Sequence, residues 1–293
     1  MKHTVVGLGE ILWDVFPDKR ILGGAPANFA YHASQLGCDS YIVSARGYDR
    51  LGEEIVSNLK GKNLNCLVNT VDYPTGVVQV SLDNNGTPQY EIKENVAWDN
   101  IPFTLEVENL AKNTQAVCFG TLAQRSNVSK NTISRFLSAM PKDSLKIFDI
   151  NLRQHFYTKE TIDESLKTAN ILKINDDEIL VLADLYGAKA QDEQPICRLL
   201  QDKYRLDIVI LTKGTNGSFI FTRENTSSLP TPKVHVADTV GAGDSFTAAF
   251  TAAYMHGRSI AEAHRLAVDV SAYVCTQHGA MPELPDTYTC LFR

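Results

Sequence analysis

Short β-rich runs alternate with longer stretches of helical periodicity along almost the whole chain. Runs at residues 3–8 (HTVVGL), 41–44, 116–119, 146–150, 171–174 and 208–212 read as strands. Between them, helical patterns fall near 26–36, 52–59, 128–139, 159–168, 176–185 and 193–203. Strands that each feed a helix are joined by crossovers, and crossovers build a mainly parallel sheet with helices on both faces. Two further helices, about 242–256 and 260–276, close the chain. With 293 residues, 44% of them hydrophobic, the chain can bury such a core without disulfide or metal staples.

One region breaks the alternation. Residues 76–81 (GVVQVS) and 89–96 (QYEIKENV) flank an Asn85-Gly86 turn with no helix between them. They read as a β-hairpin standing apart from the parallel sheet, placed to act as a lid over one end of it.

Composition excludes several classes of partner. The formal net charge of -6 leaves no basic footprint for nucleic acid or an anionic membrane. No run approaches the ~18 apolar residues of a membrane span, and MKHTVVGLGE lacks the apolar region of a signal peptide. The six cysteines form no C-x-x-C pair and no zinc-like cluster, as expected of thiols in a reducing compartment. A cytoplasmic protein is expected, in which the N-x-[ST] matches at Asn85, Asn127 and Asn225 have no consequence. His32, His155, His235, His256, His264 and His278 have no partner by spacing and read as surface or packing residues.

Candidate chemistry concentrates where glycines open helices. In VADTVGAGDSFTAAF (236–250), Gly241-Ala242-Gly243 precede apolar residues at helical spacing, Phe246, Ala249, Phe250, Ala253 and Tyr254. The first amides of a helix have no internal partner, and with the positive end of the dipole they suit an anion. Asp244 sits in that first turn. It is either a helix-favouring acid or a general base, taking a proton from a hydroxyl that attacks a phosphoryl group. A second glycine-led helix start, ILGGAPANFAYHASQLG (21–37), places Gly24 and Asn28 at a helix entrance suited to a neutral polyol. Asp14, in GEILWDVFP, is either a turn acid or a carboxylate for neighbouring sugar hydroxyls.

FDINLR (148–153) places Asp149, Asn151 and Arg153 at a strand end, all on one face by period two. In NDDE (175–178), Asn175 and Glu178 have the spacing of a capping box; the alternative is that they organise hydrated Mg²⁺ and phosphates. ILTKGTNG (210–217) puts Thr212, Lys213 and Gly214 at the end of another strand. There is no G-x-x-x-x-G-K-[ST], no complete G-x-G-x-x-G after the first strand, no H-E-x-x-H and no G-x-S-x-G.

DTVGAGD (238–244) resembles the C-terminal signature of the ribokinase-like carbohydrate kinases, the PfkB family, and GGAPANFA (23–30) resembles its N-terminal signature. The resemblance runs over essentially the whole chain. It implies one α/β domain over 1–293: a ribokinase-like three-layer α/β/α sandwich with a mostly parallel central sheet. It also implies a small β-sheet lid, formed by segments about 12–22 and 72–102. Asp244 is then the base, and the amides of Gly241, Ala242 and Gly243 are the anion hole. Asp14, Gly24, Asn28 and Arg153 hold the sugar, with Gln79 and Tyr90 reaching it from the lid. Asn175, Thr212, Gly214, Gly241 and Gly243 lie along ATP. Glu178 orders Mg²⁺ through water, and the loop with Asp238 and Val240 takes a monovalent cation, K⁺. A homodimer through the lid is also implied. GEILWDVFP with LGGAPANFAYHASQLG looks most like fructokinases, acting at the C6 hydroxyl of fructose. Ribokinase, 2-keto-3-deoxygluconate kinase and nucleoside kinase activities remain alternatives, as does a non-catalytic sugar or nucleotide sensor.

Overall fold

A computed structural model describes residues 2–82, 88–187 and 193–292. In chain order the first elements are β1 Thr4–Leu8, β2 Leu12–Val15, β3 Arg20–Gly23, α1 Ala25–Gln35, β4 Asp39–Arg46, α2 Arg50–Gly61, β5 Asn65–Thr70, β6 Val77–Leu82 and β7 Pro88–Ile92. There follow α3 Leu105–Lys112, β8 Ala116–Phe119, α4 Asn127–Ala139, β9 Leu145–Asp149, α5 Lys159–Thr168, β10 Ile171–Asn175, α6 Asp176–Tyr186 and α7 Glu193–Tyr204. The last are β11 Ile208–Thr212, β12 Ser218–Thr222, β13 Thr226–Leu229, α8 Ala242–Met255, α9 Ile260–Cys275 and α10 Asp286–Thr289.

The larger sheet runs β13-β12-β11-β10-β9-β8-β1-β4-β5. Its strands from β11 to β5 pair in parallel, and β12 and β13 close one edge antiparallel. The parallel strands are apolar on both sides because helices cover both faces, as AVCF in β8 and IVILT in β11 illustrate. Alternation splits β1 between two cores. Val5 belongs with Phe29 of α1, Phe250 of α8 and Val270 of α9. Val6 and Leu8 belong with Phe136 of α4, Leu166 of α5, Leu182 of α6 and Leu200 of α7. The result is the expected three-layer α/β/α sandwich. None of the six cysteines is in a disulfide. Of the histidines read as packing residues, His32 and His264 are buried, the latter between the hydroxyls of Ser218 and Ser227.

A second sheet stands apart, in the order β3-β2-β6-β7. The hairpin arms anticipated at 76–81 and 89–96 are β6 and β7, paired antiparallel. The Asn85-Gly86 turn lies outside the described residues. β6 also pairs in parallel with β2, so the β2–β3 hairpin completes the sheet. Trp13, Leu22 and Val77 pack on one side, with Tyr31 of α1 and Ile55 of α2. Leu12, Asp14, Val78 and Ile92 face the other way, over the carboxyl ends of the large sheet.

The strand order also locates the site. From β1 the chain builds outward through β4 and β5, then returns to build through β8, β9, β10 and β11 on the other side. The loops leaving β1 and β8 therefore diverge, which opens a crevice at that switch point.

Candidate active site

α8 begins where the sequence places glycines. Gly241 caps it in the left-handed region, at φ 79°. A Cβ there would lie 2.7 Å from the side chain of Ala280 and 2.8 Å from its backbone, so only glycine fits. His32 holds that facing segment, with its Nε2 2.8 Å from the Ala280 carbonyl oxygen. No side chain caps the helix, which leaves its first turn to a ligand. Gly241 and Gly243 line the cavity in front of this helix, whereas Ala242 does not; its amide donates to Thr239 O at 3.3 Å. The amide pocket therefore rests on the two glycines.

α1 enters the same cavity from the opposite side. Its cap, Gly24, has φ 115°, and a Cβ there would lie 2.4 Å from the Glu10 carbonyl oxygen. That close approach brings Asn28, in the first turn of α1, to the first turn of α8. Asn28 Nδ2 donates to Asp244 Oδ2 at 2.7 Å, across 216 residues of sequence.

The cavity is about 680 Å³. Of the residues expected at a site, it brings together Asp14, Gly24, Asn28, Tyr90, Arg153, Asn175, Val240, Gly241, Gly243 and Asp244. Two residues that sequence reasoning missed, Glu10 and Lys173, line it as well. Burial, reinforced by the nearby Asp149 carboxylate, pushes Asp244 up to about 6 despite the Asn28 hydrogen bond and the cations Lys173 and Arg153. Burial likewise raises Asp14 to about 6 and Glu10 to about 7, with Arg153 pulling each down.

Lys173 lies beneath the α8 terminus, 3.0 Å from where a Gly243 Cβ would sit. It is a buried charge inside an apolar strand, ILKIN, and that pattern was the available signal, since such a charge demands a partner. The partner is Asp149, directly opposite on β9, at 3.1 Å. Thr247 Oγ1 of α8 donates to the other Asp149 oxygen at 3.2 Å. Burial works against the Lys173 ammonium, but Asp149, Glu178 and Asp244 outweigh it and hold its pKa above the usual lysine range.

Several expected placements differ. Asp149, Asn151 and Arg153 do not share a strand face: β9 stops at Asp149, and Asn151 turns the chain with φ 45°. Asn151 and Arg153 still reach the cavity, whereas Asp149 is buried beneath it. On β6 it is Val78 that lines the cavity; Gln79 is exposed and donates to Val15 O at 3.2 Å. Asn175 and Glu178 form the capping box. Both Glu178 oxygens are engaged, by the amides of Asn175 at 3.0 Å and Leu152 at 2.9 Å. Thr212 pairs beside Asn175 at the strand ends, and Gly214 is exposed beyond it; neither lines the cavity. Asp238 ties its own loop to the segment after α9, accepting from the amides of Val240 at 3.0 Å and Gly279 at 3.2 Å. Among the described residues no cluster of three or more metal-ligating side chains occurs, and no helix is long and apolar enough to cross a membrane.

The arrangement combines a poised carboxylate, a helix terminus ready for an anion, and polar groups suited to hydroxyls. Comparison with known proteins agrees with that chemistry. The family described as pfkB family carbohydrate kinase matches residues 12–287. An ATP-dependent 6-phosphofructokinase of Thermoanaerobacterium thermosaccharolyticum is 28% identical, over 98% of this chain and 92% of the relative. Fructokinase-2 of Zea mays is also 28% identical, over 98% and 92%. In fold, the chain resembles a fructokinase of Vibrio cholerae O395, solved in its fructose-, ADP- and calcium-bound form. The TM-score is 0.82 at 21% identity, covering 100% of this chain and 99% of that one.

Proposed function

The chain belongs to the pfkB family of carbohydrate kinases, and on that premise we propose that it transfers the γ-phosphoryl group of ATP to the C6 hydroxyl of D-fructose. One observation carries the reading: the 2.7 Å hydrogen bond by which Asn28 orients Asp244 in a cavity shared with Asp14 and the α8 terminus. Asp244 takes the proton of the attacking hydroxyl as its oxygen bonds to the γ-phosphorus. The bond to the β–γ bridging oxygen breaks, and ADP leaves. A carboxylate raised to about 6 is still ionised at neutral pH and is a stronger base than an ordinary aspartate. The amides of Gly241 and Gly243, with the Lys173 ammonium beneath them, neutralise charge on the migrating group.

Charge argues for a neutral sugar. Glu10, Asp14 and Asp244 line the cavity against Arg153 and Lys173, and Lys173 is already paired with Asp149, so a sugar phosphate or sugar acid would meet a surplus of carboxylates. Asp14, Gly24, Asn28 and Arg153 hold the sugar, with Tyr90 at the rim. Asn175 lies along the nucleotide, with Thr212 and Gly214 beyond it on the same strand edge. Glu178 would reach a Mg²⁺ carried by ATP through water, where the ion would neutralise phosphate charge, and the Asp238–Val240 loop would hold K⁺. The smaller sheet closes over the sugar as a lid and pairs with its copy in a homodimer.

A coupled assay of ADP release tests the reading, using fructose, fructose 6-phosphate, glucose, ribose, 2-keto-3-deoxygluconate and adenosine. Fructose is expected to give the highest kcat/KM. Preference for fructose 6-phosphate or the sugar acid would overturn the charge argument, and sugar binding without ADP release would indicate a sensor.

A further inference from the structure

Glu10 takes no part in the proton and phosphoryl transfers just described. It lies two residues beyond β1, at the switch point of the large sheet, and is 3% exposed. Its backbone is pinned, since its carbonyl oxygen lies against Gly24. Its own amide and that of Ala25, the first residue of α1, both favour the ionised carboxyl. Yet Oε2 has no hydrogen-bond partner in the protein. A buried acceptor left empty is costly, and native proteins seldom leave one so without a reason. The residue lines the cavity beside Asp14, Asn28 and Asp244, so what that oxygen would meet there is the bound sugar.

We propose that Glu10 is a substrate-binding residue, whose unpartnered carboxyl oxygen pairs with a hydroxyl of the bound sugar. The inference rests on the sugar-kinase reading above and adds a specificity element to it. A hydroxyl satisfies the free oxygen; a sugar lacking that hydroxyl leaves it buried and empty. Such sites reject the deoxy analogue strongly because the penalty falls on the protein as well as on the ligand.

The test is a double-mutant cycle between side chain and substrate. Wild type, Glu10→Gln and Glu10→Met are assayed on fructose and on a series of monodeoxyfructoses, with KM measured for sugar and for ATP. One deoxy sugar is expected to lose roughly 10–100-fold in kcat/KM on the wild type and to show no such penalty on Glu10→Met. Glu10→Met should raise the KM for fructose by a similar factor and leave the KM for ATP within about twofold, whereas Glu10→Gln, which keeps both polar ends, should recover most of the loss. Penalties that simply add for every deoxy sugar, or a KM for ATP that rises with that for sugar, would overturn the assignment in favour of a purely structural role. Should Glu10→Met fail to fold, Glu10→Asp, which withdraws the carboxyl by one methylene, supports the same cycle. A wild type that phosphorylates no sugar defeats the underlying reading, whereas phosphorylation of fructose with an additive cycle defeats only the role of Glu10.

Discussion

Replacing Glu10 by glutamine should stabilise the protein, and the gain should depend on pH. Burial raises the Glu10 carboxyl from 4.5 to about 7. The folded state therefore holds a proton that the unfolded chain has released across that window. Below about pH 4.5 both states are protonated and the residue is neutral to stability. As pH rises from about 4.5 towards 7, the unfolded chain ionises while the buried group keeps its proton, so stability falls; above 7 both states are ionised and the fall levels off. A tenfold change in an acid's dissociation constant corresponds to about 1.4 kcal/mol, so the full cost approaches ~3 kcal/mol above pH 7. Glutamine keeps the shape and one acceptor oxygen, and it never ionises. The gain from Glu10→Gln should be about 1 kcal/mol at pH 5 and about 3 kcal/mol at pH 8. Urea unfolding at the two pH values, with m unchanged, measures it directly. At pH 8 the melting temperature should rise by roughly 5 °C. An equal effect at both pH values, or a loss of stability at pH 8, would refute the claim that Glu10 carries a desolvated charge.

The remaining predictions concern the α8 terminus. Gly241→Ala forces a side chain into the left-handed region and against Ala280, so we expect a loss of about 1–3 kcal/mol in denaturant melts and at least ~10-fold in kcat as the amides shift. Lys173→Met leaves Asp149 buried without its counter-ion and should destabilise by roughly 3–5 kcal/mol, while Lys173→Met with Asp149→Leu should be closer to wild type; melting curves of the pair separate the two. In a pH–rate profile, turnover should fall about tenfold per unit below pH 6, because acid protonates the Asp244 base, and Asp244→Glu should displace that limb. An acid limb identical in the two proteins would assign the titration to another group.

Features governed by local rules were legible from the sequence. Gly241 to Asp244 could be placed at a helix start because Phe246, Ala249, Phe250 and Ala253 repeat behind them, and Asn28 because Pro26 marks the first turn of α1. Features that depend on partners from other strands were not. Asp149 and Lys173 are 24 positions apart and become neighbours only through the β9–β10 register. The choice between Val78 and Gln79 is a one-residue question about which face of β6 looks inward. GVVQVS puts Val78 and Val80 on one face and Val77, Gln79 and Ser81 on the other, but does not say which face meets the site; pairing of Asp14 with Val78 does. Period two misled at Asn151 because the strand had already ended. Glu10 stood in plain view beside Asp14 in GEILWDVFP, but only the fold shows that one of its oxygens is left empty.

Asp244→Asn is the most direct test, since asparagine preserves shape and polarity and removes only the capacity to accept a proton. Turnover of fructose should drop at least ~100-fold, with both sugar and nucleotide still bound in calorimetric titrations. A variant that phosphorylates fructose at near wild-type rate would contradict the central claim that this carboxylate deprotonates the attacking hydroxyl.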